Sequence, residues 1–213
     1  MTYCDIHTHK TQISSDDRIV IVNKIVDMQR SQCFLPGCLY SYGIHPWYIT
    51  DFEMQYLLLT EAVLHPSVVA IGEAGLDKQA EKPIGEQVRV FSEQAKLAAE
   101  MGKPLVIHCV KAWDELLAVR KDFSSSDIWV IHGFRGNRQL AEQLIRKGLR
   151  LSFGEKFNPE ALRVAWPDYL FLETDESDKQ IEEIYRLAAD SLDISIDLLA
   201  LTLRRNVKEV FSV

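Results

Sequence analysis

The feature that most constrains the fold is the alternation of short apolar runs with longer amphipathic segments. Eight short apolar runs predict strands, one of them, residues 18–26, rich in β-branched residues, and from the third onward a helical pattern follows each of them. The predicted strands are residues 3–9, 18–26, 38–44, 68–71, 105–107, 128–131, 149–153 and 169–172. Because this alternation is typical of a parallel sheet, we predict an α/β protein, and eight such units indicate a (β/α)8 TIM barrel.

The connection between the first two predicted strands departs from this alternation. A polar stretch, residues 10–17, separates them, and it is too short for an ordinary crossover helix. We therefore expect a barrel that is abbreviated in its first crossover, in a chain of 213 residues where about 250 are usual. The alternative is an open doubly wound sheet, although no glycine-rich phosphate fingerprint follows the first strand. No linker or repeat is visible, so residues 1–213 are predicted to form a single domain.

Capping patterns place the predicted helices. Thr50 to Glu53 resembles a capping box, Ser177 and Gln180 form a second one, and Asn137 is placed to cap a helix that Gly148 ends. The predicted helices are residues 54–64, 84–98, 113–119, 138–147, a short one opened by Asn158-Pro159, 181–189, 196–203 and 207–211.

Charge and cysteine usage limit the classes of partner. A formal net charge of −7 gives no general attraction to polyanions, so binding of nucleic acid would need metal ions or a basic rim. Four cysteines without CxxC spacing do not predict a disulfide framework, which fits a reducing compartment. No signal peptide or membrane-length apolar run is visible. We expect a cytoplasmic enzyme or binding protein, with no membrane partner and no evident obligatory protein partner.

Residues of metal-ligand type stand at the ends of the predicted strands. His7 and His9 are two apart in one strand, so both imidazoles face the same side. Five of the six histidines and two acidic residues occupy such positions, and in a barrel these ends converge on one mouth. The sixth, His65, precedes Pro66 at a helix end, where a structural role is the plain interpretation. The converging set is His7, His9, His45, Glu73, His108, His132 and Asp175.

Each of these residues alone has an ordinary structural explanation. A single histidine after a strand is more often hydrogen-bonded than ligating, Asp175 could cap a helix, and Glu73 could pair with a lysine. Together they form an imidazole and carboxylate set that suits Zn, Mn, Fe or Mg and excludes a thiolate site. Even without His45, six ligands are too many for one tetrahedral ion, so we predict two divalent metal ions with Glu73 bridging them.

Six motifs follow one another along the chain. They are DIHTH from Asp5, GIHP from Gly43, GEAGLD from Gly72, PLVIH from Pro104, HGFRG from His132 and ETD from Glu173. With a closing stretch, NVKEVF from Asn206, they resemble the successive motifs of the TatD-type metal-dependent deoxyribonucleases, which belong to the amidohydrolase-like barrels. The resemblance implies a shortened member of this family that hydrolyses phosphodiester bonds.

The resemblance also implies which residues hold the ions. One ion would be held by residues matching His7, His9, Glu73 and Asp175, and the other by those matching Glu73, His108 and His132. A metal-activated water would attack the phosphorus, and Asp175 would orient or deprotonate that water. Glu73 and Asp175 are therefore the predicted catalytic residues.

Three further residues are candidates for substrate binding. His45 matches a histidine that lies near the substrate phosphate in the family, and we predict a phosphate contact for it rather than a metal bond. Lys111 and Arg135 follow ligand-bearing strands and could hold phosphate oxygens, or could equally be solvated charges on the rim.

Three departures from the family pattern concern the walls of the site. Lys78 replaces the usual aromatic residue, Glu176-Ser177 leads directly into a helix instead of a long loop, and the first crossover helix is missing. The predicted substrate is therefore DNA or a small phosphoester. The alternatives are a metal-dependent hydrolase of a small amide, ester or phosphoester, and a metal-binding protein without catalysis.

Overall fold

Eight parallel strands form one sheet in chain order in a computed structural model, which describes residues 1–29 and 33–213. All seven neighbouring pairs are parallel. The prediction of a (β/α)8 barrel is confirmed. The strands are β1 Tyr3–Thr8, β2 Arg18–Ile25, β3 Leu39–Gly43, β4 Val68–Asp77, β5 Leu105–Val110, β6 Trp129–Ile131, β7 Leu149–Phe153 and β8 Leu170–Leu172.

Helices alternate with the strands from β3 onward. In the described residues they are α1 Phe52–Ala62, α2 Ile84–Glu100, α3 Trp113–Arg120, α4 Arg138–Arg146, α5 Pro159–Ala165, α6 Ile181–Leu192 and α7 Ile196–Phe211. No helix lies between β1 and β2, as expected, and none is seen in the described part of the connection between β2 and β3. Within the same residues, no helix has the length and hydrophobicity that a membrane crossing requires.

The seam between the first and last strands is closed at their carboxyl ends. Thr8 forms a parallel bridge with Asp175, and the Asp175 N–H donates to the carbonyl of His7 at 2.9 Å. The buried Asp5 carboxylate accepts from the Thr174 N–H at 3.0 Å and from its hydroxyl at 2.6 Å. The barrel therefore closes next to His7 and Asp175, two of the predicted metal ligands.

Replacing Thr174 by valine should weaken this seam. The buried Asp5 carboxylate would lose its shortest hydrogen bond, and an unsatisfied buried polar group costs about 1–3 kcal/mol. Urea unfolding of T174V should show that loss in the free energy of unfolding. Thr60→Val, on the outer helix α1, removes a hydroxyl that bonds within its own helix, and should cost less than about 0.5 kcal/mol. Equal losses in both variants would contradict the role of the seam.

Strand β4 is longer than the sequence indicated, since it continues beyond residue 71 to Asp77. Glycines at 72 and 75 allow this continuation because β4 and β5 approach very closely. A Cβ on Gly72 would lie 2.4 Å from the carbonyl oxygen of Val106, and one on Gly75 would lie 1.9 Å from that of His108. Glu73 therefore lies within a strand rather than after one, as does His108 in β5.

Two predictions about helix caps need correction. The α1 cap is Asp51, whose carboxylate accepts from the Met54 N–H at 3.1 Å, and not Thr50. Ser177 does not cap α6, because its hydroxyl donates to Glu155, and α6 begins after Gln180.

The two predicted C-terminal pieces form one helix, α7. Its polar interruption, Asn206, is buried and donates to the carbonyl oxygens of Pro167 and Leu170 at 2.8 and 3.2 Å. In the same stretch, Val207, Val210 and Phe211 join a buried apolar cluster of strand residues. The end of α7 is therefore packed firmly onto the barrel.

Candidate metal centre

Glu73 lies at the middle of the candidate site, and its two carboxylate oxygens face different sets of histidines. Its side chain projects from β4 and is 5% exposed. Oε2 lies 3.5 Å from His7 Nε2 and 3.9 Å from His9 Nε2. Oε1 lies 2.7, 3.0 and 3.3 Å from nitrogens of three other histidines, which are His132, His108 and His45 respectively. One carboxylate thus connects two groups of imidazoles.

The first group lies where β1 and β8 meet. Asp175 Oδ1 lies 3.4 Å from His9 Nε2 and 3.8 Å from His7 Nε2. His7 is fully buried, and neither of its ring nitrogens has a hydrogen-bond partner among the described residues. A buried polar group without a partner is costly, so the ring of His7 is suited to a ligand that the protein itself does not supply.

The second group gathers the histidines from β3, β5 and β6. His45 Nδ1 accepts from the backbone N–H of Trp47 at 3.1 Å, which leaves Nε2 directed at Glu73. His108 Nδ1 and His132 Nε2 lie 3.3 Å apart, and both are within 3.0 Å of Glu73 Oε1. The two rings therefore present their nitrogens to the same point.

Three buried polar residues that sequence reasoning did not single out support these ligand-type groups. The Asn23 amide donates to Glu73 Oε2 at 3.0 Å. Asp77 Oδ2 lies 3.0 Å from His108 Nε2, and Glu173 Oε1 lies 3.3 Å from His132 Nδ1. Carboxylates that contact the second nitrogen of a histidine are typical of metal sites, where they fix the ring orientation.

Signals for these supporting residues were present in the sequence. Asp77 and Glu173 belong to the motifs GEAGLD and ETD, and Asn23 interrupts an otherwise apolar strand. A polar side chain inside a buried strand needs a hydrogen-bond partner, which here is Glu73.

The electrostatics favour ionised carboxylates at the centre. Burial opposes ionisation of Glu73, but His132 and hydrogen bonds from the neighbouring imidazoles hold the pKa of this carboxyl well below its usual value. Burial likewise opposes ionisation of Asp175, yet the contact with His9 lowers its pKa. Burial disfavours the charged form of His132, but Glu73 and Glu173 raise its pKa well above the ordinary range. The centre thus has a strong affinity for positive charge.

The predicted ligands come together in overlapping groups. Within each group the candidate ligand atoms lie within 4.8 Å of one another, and the described residues give three such groups. They are His7/His9/Glu73, His45/Glu73/His108 and His7/His132/Asp175. His45 thus lies within one of these groups, and its contact with phosphate stays a prediction.

The basic residues expected near the substrate lie farther out. Lys111 and Arg135 are exposed, and neither forms an ion pair with a described carboxylate. Lys78 pairs with Glu115 at 2.7 Å, so its charge is already compensated on the rim. The structure does not bring Lys111 or Arg135 into contact with the histidine groups, and their role stays a prediction.

The fold and the site together define a TIM barrel with a candidate metal centre at the carboxyl ends of its strands. The chain belongs to the TatD related DNase family, whose model matches residues 6–212. This confirms the family that the six motifs indicated.

Curated relatives share part of the chain. The chain is 37% identical over 118 residues to the human 3'-5' RNA nuclease TATDN2, a match that covers 54% of this chain and 16% of that protein. It is 34% identical over 121 residues to the 3'-5' ssDNA/RNA exonuclease TatD of Musicola paradisiaca, which covers 54% of this chain and 46% of the relative. The chain thus spans less than half the length of these two relatives.

A solved structure supports the fold independently. The crystal structure of YJJV, a TatD homologue from Escherichia coli K12, matches with a TM-score of 0.75 over 91% of this chain and 86% of that chain. The sequence identity is 22%, so this similarity bears on the architecture alone.

Proposed function

We propose that this chain is a metal-dependent hydrolase that cleaves phosphodiester bonds in nucleic acid and uses two divalent metal ions. The observation that carries the proposal is the position of Glu73. Its two oxygens face separate groups of imidazoles, which is the arrangement that a carboxylate bridging two ions requires. We also propose that residues 1–213 form a single hydrolase domain, because β1 and β8 close one sheet.

The ligands divide between two ions in this proposal. One ion would be held by His7, His9, Glu73 and Asp175, and the other by Glu73, His108 and His132. The partnerless ring nitrogens of His7 and the mixture of imidazole and carboxylate fit Zn, Mn or Mg. When bound, such ions supply Lewis acidity that polarises phosphate and acidifies water.

Side chains at the mouth of the barrel would carry out the remaining steps. Asp175 is half-buried, and its lowered pKa keeps its carboxylate ionised, so it can orient a water molecule and accept its proton. His45 lies beside Glu73 and can donate to a phosphate oxygen from Nε2. Lys111 and Arg135 would neutralise charge along the rest of the backbone.

Single-stranded nucleic acid is the substrate that we propose. The relatives with the matching segments include an RNA nuclease and a ssDNA/RNA exonuclease. A net charge of −7 does not attract a polyanion over long distances, so binding would depend on the ions and the local rim.

A second candidate function is hydrolysis of a small ester or phosphoester on the same metal centre. Five residues, 176–180, separate Asp175 from α6, so no long loop covers the mouth at this strand end. Without such a loop, the mouth of the barrel offers fewer contacts to a long substrate, which favours a small one.

Turnover of matched substrates separates the two candidates. A single-stranded oligonucleotide and a panel of p-nitrophenyl esters and phosphoesters would be compared with the metal-loaded protein. We expect the oligonucleotide to have the higher kcat/KM. Turnover of small esters without any oligonucleotide cleavage would overturn the proposed substrate.

Removing His108 should remove one ion. In the variant H108A the second group loses the nitrogen that lies 3.0 Å from Glu73 Oε1. The affinity of the second group for its metal ion should fall by more than about 10–100-fold, which is the usual cost of losing a residue that only hydrogen-bonds to a ligand. Metal content after gel filtration should drop from two ions per chain to one, and most activity should disappear. His65→Ala is the matched control, since His65 lies outside the candidate site at the end of α1. Full metal content in H108A would remove His108 from the ligand set.

Metal removal should also lower the stability of the fold. An ion that binds the folded state stabilises it by about 2.7 kcal/mol at a hundredfold excess over its Kd. For a chain of this size, EDTA treatment should then lower Tm by about 5–10 °C, and restored metal should reverse the change. An unchanged Tm, measured by differential scanning calorimetry, would contradict a preformed site.

A further inference from the structure

We propose that a cleft beside the metal centre binds one nucleobase of the substrate, with Trp47 and Tyr48 as its stacking surface. This inference rests on the proposed function, because it assigns a binding place to the base next to the phosphate that is cleaved.

The cleft is continuous with the metal centre. Its volume is about 680 Å³, and its lining includes His9 and Asn23, which both contact Glu73. Ligand sites for small organic molecules commonly have volumes of about 300–1,000 Å³. A nucleotide whose phosphate lies at Glu73 can therefore place its base in this cleft.

Two exposed aromatic side chains form one lip of the cleft. Trp47 and Tyr48 lie in a short 3₁₀ turn, Pro46–Tyr48, directly after His45, and are 56% and 51% exposed. Neighbouring exposed apolar side chains that line a cleft often mark a ligand-binding groove. Aromatic faces accept any base by stacking, which is the general way in which proteins bind single strands.

The aromatic lip is held in a fixed orientation. The indole N–H of Trp47 donates to Asp77 Oδ2 at 2.7 Å, and the same oxygen contacts His108. The buried amide of Gln55 donates to the carbonyl oxygen of Tyr48 at 2.9 Å and accepts from the Thr50 N–H. A surface that is ordered before binding loses little conformational entropy when a base stacks on it.

Most of the area that lines the cleft is apolar. Ile25, Val26, Met28 and Tyr42 contribute to it, so the cleft suits the flat face of a base better than a charged group. Lys24 also lines the cleft, but its ammonium group lies 4.8 Å from the ring centre of Tyr40 and donates to the carbonyl oxygen of Cys33. Because this ammonium group is already engaged, the phosphate is expected to bind at the metal centre and the base in the cleft.

The test compares strands that carry or lack a terminal base. The substrates are single-stranded tetrathymidylate and two analogues in which the base at the 3′ or the 5′ end is replaced by tetrahydrofuran. With the metal-loaded wild type, we expect removal of one of these bases to lower kcat/KM by about tenfold, the size typical of losing a stacked base. Trp47→Ala and Tyr48→Ala should each reduce this preference for the base-bearing strand. Trp47→Phe, which keeps an aromatic face, should retain most of it.

The matched control is Leu201→Ala, which removes an exposed apolar side chain from α7, and should keep the wild-type preference. Wild-type cleavage of all three strands at equal efficiency would overturn this inference while leaving the proposed function standing. If the preference for the base-bearing strand survives in both W47A and Y48A, this inference is likewise overturned and the proposed function still stands. Failure of the wild type to cleave any of the three strands would instead contradict the proposed function.

Discussion

Replacing Glu73 by glutamine is expected to abolish both metal binding and phosphodiester cleavage. Glu73 lies within 4 Å of five histidines, so a neutral amide in its place weakens both ion positions at once. We expect kcat/KM to fall by more than about 10³-fold, since loss of a single charge-stabilising group in an active site already costs about 10²–10³-fold. Metal analysis should find fewer than one ion per chain.

The substitution is nearly isosteric, so a change in fold does not explain such a loss. Glutamine can still accept from the amide of Asn23, and circular dichroism would check that the variant is folded. Glu61→Gln, at an exposed position on α1, provides the matched control and should retain wild-type metal content and activity. Retention of two ions in E73Q would contradict the bridging role.

Asp175→Asn is expected to lower kcat by about 10²–10⁴-fold, the usual contribution of a general acid or base. The reason is that an amide cannot accept the proton of the attacking water. Asn tolerates the positive φ of 52° at this position, so the backbone bridge to β1 should survive. The measurement is oligonucleotide cleavage under single-turnover conditions, with metal content determined on the same sample.

The neighbouring Asp178→Asn is the control for Asp175. Asp178 is exposed and close in sequence, and its substitution should leave cleavage within about twofold of the wild type. Unchanged cleavage by D175N would show that another group handles the proton.

The barrel could be predicted from sequence because each strand and each helix carries its own local signal. Eight apolar runs, spaced by helical patterns, leave few topologies open, and the short polar stretch 10–17 already indicated the missing helix. The seven converging residues could be predicted for the same reason, since parallel strands bring their carboxyl ends to one mouth.

The sequence was less informative where long-range contacts override local patterns. Gly72 and Gly75 looked like the end of a strand, yet they allow β4 to continue closely beside β5. The sequence predicted two helices, 196–203 and 207–211, but contacts of Asn206 with Pro167 and Leu170 bury the stretch between them within one helix. Such contacts join residues 30 or more positions apart, and neither periodicity nor propensity reports them.

The sequence also did not show which side chains around the metal centre contact one another. His45 is predicted to contact phosphate rather than a metal ion, and the structure adds that its Nε2 lies 3.3 Å from Glu73 Oε1, among the other imidazoles. Asp77 had no assigned role, yet it contacts both His108 and Trp47 and so connects the metal centre to the cleft. Spacing in the sequence shows which residues share the mouth, but only coordinates show which atoms meet.

The central claim is that Glu73 bridges two ions, and anomalous scattering from crystals grown with Mn or Zn tests it most directly. Two anomalous peaks are predicted, one beside Glu73 Oε2 with His7 and His9, and one beside Oε1 with His108 and His132. A single peak would contradict the dinuclear centre, and two peaks that do not share Glu73 would contradict its bridging role.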